Sequence, residues 1–246
     1  MRLQGKVVVI TGGARGIGGS TAKLFAAEGA KVVIGDLLKE PGDETVAEIR
    51  AAGGEAIFVR TDVSRAENCR SLMSAAVETY GKLDVLVTCA GVLRGAFVPV
   101  EDLSEDVFES VLDINVTGTF LSIKHAVPHL KKAGRGIIVS LASGAGVKGS
   151  SSSCAYGSSK GAVHGLVMTL EPKLAPLGIR INDVCPGAID TEMKRENVLD
   201  AARASGVSTD GALETAKLAD PIGVARILLF LASDEGDYVR GTVFTR

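Results

Sequence analysis

The chain has 246 residues, of which 46% are apolar and 23% are charged, and its formal net charge is −2. This length suits one α/β domain spanning residues 1–246, and the apolar fraction is too high for a disordered chain. A charge this close to zero argues against nucleic acid or an anionic membrane as the main partner, because both require a basic surface.

Short apolar runs alternate with helical segments from one end of the chain to the other. The runs are continuously apolar, which is typical of parallel strands that are buried on both faces. The predicted strands are Val7–Thr11, Lys31–Gly35, Ala56–Arg60, Val85–Thr88, Gly136–Leu141, Ile179–Val184 and Thr242–Phe244. Two intervening helices, Ile17–Glu28 and Arg65–Tyr80, are each followed by a glycine that ends the helix. This alternation predicts a Rossmann-type α/β fold, a doubly wound seven-stranded parallel sheet with helices on both faces.

Two segments interrupt the alternation. Residues Ser143–Cys154 are rich in glycine and serine, and residues Glu192–Asp220 are helical but irregular. Because segments of this length in a compact domain usually bind or cover a substrate, we predict a substrate loop over about 192–220, with Ser143–Tyr156 forming the opposite wall. The apolar side chains expected to line the walls of this substrate site are those of Leu93, Phe97, Val147, Met193 and Val198.

A glycine-rich turn joins the first strand to the first helix, in the order Thr11-Gly12-Gly13-Ala14-Arg15-Gly16-Ile17-Gly18. Glycines there allow the backbone to approach an anion closely, and a helix N-terminus offers free N–H groups and the positive end of a dipole. Asp36 ends the second strand, 18 residues beyond Gly18, where a carboxylate can accept hydrogen bonds from the ribose of an adenosine. The same charge repels a 2′-phosphate. The pattern therefore favours NAD, and NADP is the less favoured cofactor.

Tyr156 and Lys160 lie four residues apart, so on a helix their side chains share one face. A nearby ammonium favours the phenolate form of a tyrosine. Lowering a phenol pKa from ~10 to ~7 requires about 4 kcal/mol, more than one lysine supplies, so a positively charged oxidised nicotinamide is the second source we expect. Tyr156 then serves as general base toward an alcohol and as general acid toward a carbonyl. Ser143 is a neutral hydroxyl at the end of the fifth strand that can hold the substrate oxygen.

The glycine spacing Gly-x-x-x-Gly-x-Gly, followed by Tyr-x-x-x-Lys, resembles the short-chain dehydrogenase/reductase family in its single-domain form of about 250 residues. The likeness runs from residue 6 to about 244. It implies a catalytic tetrad of Asn115, Ser143, Tyr156 and Lys160, in which Ser143 polarises the substrate carbonyl and Asn115 holds a water that extends a proton relay from the lysine. It also implies cofactor contacts by Gly12, Arg15, Gly16, Ile17, Gly18, Asp36, Asp62, Val63, Ala90, Gly91, Tyr156, Lys160, Pro186, Gly187, Ile189 and Thr191.

One motif departs from the family. Cys89-Ala90-Gly91 stands where the family has Asn-Ala-Gly, which removes a side-chain amide that would brace the sheet. We expect the local stability to change and the backbone turn to survive.

The residues predict hydride transfer between NAD(H) and the carbon of a small secondary alcohol or ketone. The family also contains reductases of 3-oxoacyl thioesters on a carrier protein, which need a basic docking surface; Lys124, Lys131, Lys132 and Arg135 could supply one. Most of those reductases use NADP, which Asp36 disfavours, and usually carry an arginine where this chain has Leu177. A catalytically inactive NAD-binding protein is a third alternative, although such relatives typically lose the tyrosine or the lysine.

The four cysteines have neither Cys-x-x-Cys spacing nor a histidine at zinc-ligand intervals, so we expect reduced thiols, no metal site and a cytoplasmic protein. No apolar run approaches the ~18 residues that span a bilayer, and no secretory leader is expected. By resemblance the chain forms a homotetramer. Pro172 falls in the helix that follows Lys160, where it is expected to kink or break the helix and so to affect a subunit contact.

Overall fold

The computed structural model describes residues 1–245, which form one parallel sheet in the order β3-β2-β1-β4-β5-β6-β7. The strands are β1 (Val7–Thr11), β2 (Lys31–Asp36), β3 (Glu55–Arg60), β4 (Val85–Thr88), β5 (Gly136–Leu141), β6 (Ile179–Cys185) and β7 (Gly241–Phe244). Every adjacent pair is parallel. The predicted sheet is confirmed, and each predicted strand lies within one residue of its expected bounds.

Helices cover both faces of this sheet. Within the described residues they are α1 (Gly16–Ala27), α2 (Lys39–Ala51), α3 (Ala66–Tyr80), α4 (Glu105–Leu112), α5 (Gly118–Lys132), α6 (Cys154–Leu174), α7 (Glu192–Ala204), α8 (Ala212–Thr215) and α9 (Pro221–Ala232). None of them is both long and apolar enough to cross a membrane.

The core consists of two apolar layers, one on each side of the sheet. Val8 and Ile10 of β1 pack into the layer formed with α1, α2 and α9, whereas Val7 and Val9 pack into the layer formed with α3, α5 and α6. Because successive side chains of a strand point to opposite faces, burial on both faces requires every position to be apolar. This explains the continuous apolar runs of the sequence.

The glycine after α3 ends that helix as predicted, whereas the proline in α6 does not. Gly81 ends α3 with a φ of 83°, in the left-handed region that favours glycine. Pro172, in contrast, does not break α6, which continues to Leu174. The expectation of a break was wrong because Pro172 falls in the exposed last turn, where the loss of one N–H donor disturbs little of the helix.

A buried aspartate connects the last two strands to α6. Asp183 of β6 is fully buried; its Oδ1 accepts a hydrogen bond from the Thr242 hydroxyl of β7 at 2.7 Å. Its Oδ2 lies 3.0 Å from Nδ1 of His164, which is one helical turn beyond Lys160 on α6. A buried carboxylate is costly unless it is hydrogen-bonded, and here both oxygens are. The cluster therefore fixes the position of α6 relative to the sheet.

Candidate active site

A cavity of about 950 Å³ opens at the carboxyl ends of the strands. It extends across the point between β1 and β4 where the strand order reverses, which is where open α/β sheets bind ligands. Its lining includes all the residues predicted to contact the cofactor and three of the four predicted catalytic residues. The fourth, Asn115, is buried behind the lining.

The turn between β1 and α1 is packed too closely for side chains. A Cβ on Gly12 would lie 2.6 Å from the backbone nitrogen of Ala90, and a Cβ on Gly18 would overlap the carbonyl oxygen of Gly12. Arg15 stands at the N-cap of α1 and its side chain makes no capping hydrogen bond. The first N–H groups of α1 therefore have no side-chain acceptor, and together with the helix dipole they suit the phosphates of a dinucleotide.

Asp36 borders the cavity beside the glycine-rich turn. Its Oδ2 accepts a hydrogen bond from the Ala14 N–H and its Oδ1 accepts one from the Leu38 N–H, each at 3.1 Å. These bonds hold the carboxylate at the edge of the glycine-rich turn, and each oxygen retains a further lone pair that can accept from a ribose hydroxyl.

The turns that follow β3 and β4 also line the cavity. Asp62 accepts hydrogen bonds from the backbone and hydroxyl of Ser64, which places Asp62 and Val63 at the end of β3. The Cys89 N–H donates to the Thr11 carbonyl oxygen at 3.0 Å, so the turn after β4 keeps its backbone attachment without an asparagine. Burial raises the pKa of the Cys89 thiol to about 12, which keeps this side chain neutral.

Tyr156 and Lys160 reach the cavity from the first two turns of α6. Ser153 caps this helix, because its hydroxyl oxygen accepts from the Tyr156 N–H at 3.2 Å. The Lys160 ammonium lies 5.8 Å from the centre of the Tyr156 ring and donates to the Leu141 carbonyl oxygen at 2.7 Å. Burial lowers the pKa of Lys160 to about 8.

The pKa of the phenol differs from the sequence-based expectation. Burial raises the pKa of Tyr156, and a hydrogen bond with Ser143 lowers it by less. We expected Lys160 to favour the phenolate, but the lysine is itself desolvated and donates to a backbone carbonyl. These surroundings therefore favour the protonated phenol, the form that can donate a proton.

Asn115 lies in a single π-helical turn, Asp113–Thr117, between α4 and α5. Its side-chain amide exchanges two hydrogen bonds with the Val92 backbone, at 2.8 and 2.9 Å, and donates a third to Ser159 Oγ at 2.9 Å. Ser159 in turn donates to the Tyr156 carbonyl oxygen at 2.7 Å. Asn115 is thus attached to the turn of α6 that carries the phenol and the ammonium.

The segment after β6 lies opposite the glycine-rich turn. Ala219 pairs with Ile189 in an isolated bridge and accepts from the Asp190 N–H at 2.8 Å. Thr191 caps α7, and its methyl group would be 3.3 Å from a Cβ on Gly16. With Pro186 and Gly187, this segment closes the side of the cavity where the nicotinamide is expected.

These features fit a dinucleotide: a cradle without side chains, an uncapped helix N-terminus and a carboxylate beside the glycine-rich turn. Within residues 1–245 no three histidine, cysteine, aspartate or glutamate side chains are grouped so as to hold a metal ion.

A family model described as short chain dehydrogenase matches residues 6–202. The chain belongs to the short-chain dehydrogenase family. It is 40% identical over 241 residues to a 2,5-dichloro-2,5-cyclohexadiene-1,4-diol dehydrogenase of Sphingobium indicum, covering 98% of this chain and 94% of the relative. It is 37% identical to a 3-oxoacyl-(acyl-carrier-protein) reductase of Thermotoga maritima, covering 99% and 96% of the two chains.

Among solved structures, the NAD⁺-bound form of a xylitol dehydrogenase superposes with a TM-score of 0.91 and 31% identity, covering 99% of this chain and 98% of the other. The similarity to the family expected from the sequence is thus confirmed. As a short-chain dehydrogenase, the protein is an NAD(P)-dependent oxidoreductase that transfers hydride at a CH–OH carbon.

The cavity also has lining residues, on α7, that the sequence analysis did not single out. Lys194, Asn197 and Ala201 line it from α7, beside the predicted Met193 and Val198. The spacing of three and four residues along one helix face was a usable signal for them. Val147 was predicted in this wall, but it packs instead against Ala142, Val163 and Cys185, because the loop after β5 turns its side chain toward the core.

The buried ammonium of the dehydrogenase predicts a pH-dependent stability. Because folding lowers the pKa of Lys160 from 10.5 to about 8, the native state binds fewer protons than the unfolded chain between these values, and the free energy of unfolding rises with pH there. We expect Lys160→Met to remove this rise. Between pH 7 and pH 10.5 the free energy of unfolding of the wild type should therefore rise by on the order of 3 kcal/mol more than that of the variant.

Urea unfolding at the two pH values measures this difference. The exposed Lys173→Met is the matched control and should follow the wild type. A difference between the Lys160→Met and wild-type proteins that stayed constant with pH would show that the ammonium is not desolvated.

Proposed function

We propose that this dehydrogenase uses NAD and interconverts an alicyclic secondary alcohol and its ketone. The observation that carries the proposal is the arrangement within one cavity. Tyr156, Ser143 and Lys160 lie at one end and the Asp36 carboxylate lies at the other. Apolar side chains of Leu93, Met193 and Val198 line the space beside the phenol, which suits a ring of modest size. The relative that acts on a cyclohexadiene diol supports this substrate class.

We propose that Gly12, Gly16, Ile17, Gly18 and the other predicted contacts hold the dinucleotide. When bound, it accepts hydride in its oxidised form, in which its ring is positively charged, and supplies hydride in its reduced form. Asp36 would meet the 2′-phosphate of NADP as a like charge, whereas it can accept hydrogen bonds from the free ribose diol of NAD.

Ser143 positions the substrate oxygen in this proposal. Its Oγ accepts a hydrogen bond from the Ala145 N–H at 3.2 Å, and its own proton, which stabilises the Tyr156 oxygen when no substrate is bound, can be donated to a substrate oxygen held beside that phenol. A hydroxyl held in this way can fix the oxygen of an alcohol or ketone beside the phenol of Tyr156 before any charge develops.

Tyr156 exchanges the proton. In reduction, its protonated phenol donates to the ketone oxygen, and burial, which raises the pKa of Tyr156, holds this proton on the phenol until then. In oxidation, the phenolate takes the proton of the substrate hydroxyl, which requires added positive charge nearby. Lys160 contributes to that charge, and Asn115 acts through Ser159 to hold the turn that carries both groups.

Reduction of 3-oxoacyl thioesters remains a second candidate, favoured by the identity to the Thermotoga maritima reductase. This function needs a basic docking surface, and the positive charge available there is smaller than the sequence suggests, because Arg135 pairs with Asp234 and Asp237. Asp36 also disfavours the NADP that most such reductases use.

An assay of the purified protein distinguishes these functions. We expect NAD-dependent oxidation of cyclohexanol and cyclohexane-1,2-diol, followed at 340 nm, with kcat/KM at least about tenfold lower when NADP replaces NAD, equivalent to about 1.4 kcal/mol. The comparison arm is acetoacetyl thioester with NADH and with NADPH. Activity confined to the thioester with NADPH would contradict both the substrate class and the role of Asp36.

We further propose that residues 1–246 act as one dinucleotide-binding domain with a substrate loop over about 192–220, and that the protein is a cytoplasmic homotetramer. Free cysteines support a reducing compartment. The exposed apolar side chains of Phe120 on α5 and Met168 on α6 support contacts between subunits, which light scattering of the purified protein measures.

A further inference from the structure

A row of polar side chains joins α7 to the loop before α6 in the wall of the cavity. Asn197 of α7 is 7% exposed and its Nδ2 donates to Ser152 Oγ at 2.8 Å. Lys194, one turn earlier on the same helix, places its Nζ 3.4 Å from Asn197 Oδ1. All three residues line the cavity, so this row, Lys194–Asn197–Ser152, faces the space in which we propose that the substrate binds.

Ser152 is held firmly by the loop on its other side. Its carbonyl oxygen accepts from the Phe97 N–H at 2.7 Å, and the neighbouring Ser153 hydroxyl donates to the Arg94 carbonyl oxygen at 2.6 Å. Phe97 has a φ of 61°, the one positive φ of a non-glycine residue within residues 1–245. Strained backbone of this kind persists where the surroundings fix it, and it often accompanies a binding site.

The row presents more donors than its own contacts use. Ser152 Oγ accepts from Asn197, so its hydroxyl proton is available, and Asn197 has a second amide N–H. The Lys194 ammonium has three N–H donors, and its contact with Asn197 uses one of them. Asn197 Oδ1, the amide acceptor, already faces the ammonium. A ligand group that fits here is therefore an acceptor.

The charge of the surroundings selects the kind of acceptor. Within the described residues no carboxylate lies within 4 Å of the Lys194 ammonium. Of the acidic residues that line the cavity, Glu192 pairs with Arg15, and Asp36 and Asp62 lie at the end assigned to the adenosine. An anion placed between Lys194, Asn197 and Ser152 would receive charge-assisted hydrogen bonds from a site that carries no opposing charge.

We propose that the substrate is a ring alcohol that carries a carboxylate, and that Lys194, Asn197 and Ser152 bind this carboxylate away from the carbon that exchanges hydride. This inference rests on the proposed function, because it names the substrate class of the same cavity. Lys194 is then the residue that determines specificity for the charged substituent.

The test compares charged and uncharged forms of one ring. The substrates are 3- and 4-hydroxycyclohexanecarboxylate and their methyl esters, oxidised with NAD by the wild type, Lys194→Met and Lys194→Arg. In the wild type, kcat/KM for at least one acid should exceed that for its ester about tenfold or more. Lys194→Met should lower this ratio about tenfold, whereas Lys194→Arg, which keeps the charge, should preserve most of it. Lys173→Met, which removes an exposed lysine outside the cavity, should leave the ratio unchanged.

A binding measurement separates specificity from folding or turnover. Cyclohexanecarboxylate, which has no hydroxyl to oxidise, should inhibit wild-type oxidation of cyclohexanol competitively, with an inhibition constant that rises with salt and rises about tenfold in Lys194→Met. Oxidation of cyclohexanol without any preference for the acids or inhibition by the carboxylate would overturn the inference and leave the proposed function intact. Failure to oxidise any ring alcohol, together with no binding of the carboxylate, would overturn both.

Discussion

Replacing Tyr156 by phenylalanine is expected to lower kcat by about 10²- to 10⁴-fold, the range that a positioned general acid or base contributes. The substitution removes one oxygen from a half-buried ring and leaves the ring contacts, the Ser153 cap and the Lys160 hydrogen bond in place. NADH affinity, measured by fluorescence titration, should therefore stay within about twofold of the wild type.

The chain offers a matched control for this substitution. Tyr238 is 99% exposed and lies outside the cavity, so Tyr238→Phe removes the same hydroxyl group at a position that is remote from the cofactor and substrate. Its kcat should equal that of the wild type. If Tyr156→Phe kept more than a few per cent of wild-type turnover, the assignment of proton transfer to this phenol would be wrong.

The second large effect is expected from Gly18→Ala in the glycine-rich turn. The added methyl group would overlap the Gly12 carbonyl oxygen, a backbone atom that cannot move without displacing the whole turn. Overpacking of this kind typically costs about 1–3 kcal/mol. We expect the dissociation constant for NADH to rise by at least about 100-fold and the melting temperature to fall by several degrees.

Gly223→Ala is the control, because a Cβ at this position on α9 meets no atom within 4 Å. An alanine in an open helical position is expected to raise stability slightly, by about 0.5–1 kcal/mol, and to leave NADH binding unchanged. Unchanged NADH binding in Gly18→Ala would show that the phosphates do not lie on the N-terminus of α1.

Local patterns in the sequence were sufficient to predict the sheet and the two ends of the cavity. Continuous apolar runs mark strands buried on both faces, and a glycine-rich turn followed by Asp36 marks the cofactor end. Each signal is local, because every apolar run is at most seven residues long and Gly12 to Asp36 span 25 residues, so no knowledge of distant packing was needed. The roles of the individual site residues stay predictions until the variants above are measured.

What escaped prediction depends on pairs of residues that are distant in the sequence. The bond between Asn197 and Ser152 joins segments 45 residues apart, and Asp183 meets Thr242 across 59 residues. The strained φ of Phe97 comes from the loop that holds it, since phenylalanine itself disfavours this conformation. The raised pKa of Tyr156 follows from burial, which the four-residue spacing to Lys160 does not reveal.

The two thiols beside Lys160, those of Cys89 and Cys185, affect how the cavity reacts with electrophiles and oxidants. Burial raises the pKa of Cys89 to about 12 and, together with the charge of Asp183, raises that of Cys185 to about 11. Both thiols are therefore held in the neutral form, whereas the thiolate is the form that electrophiles and peroxides attack. The reaction centre is thereby shielded from alkylation and oxidation, although it contains sulfur at two positions.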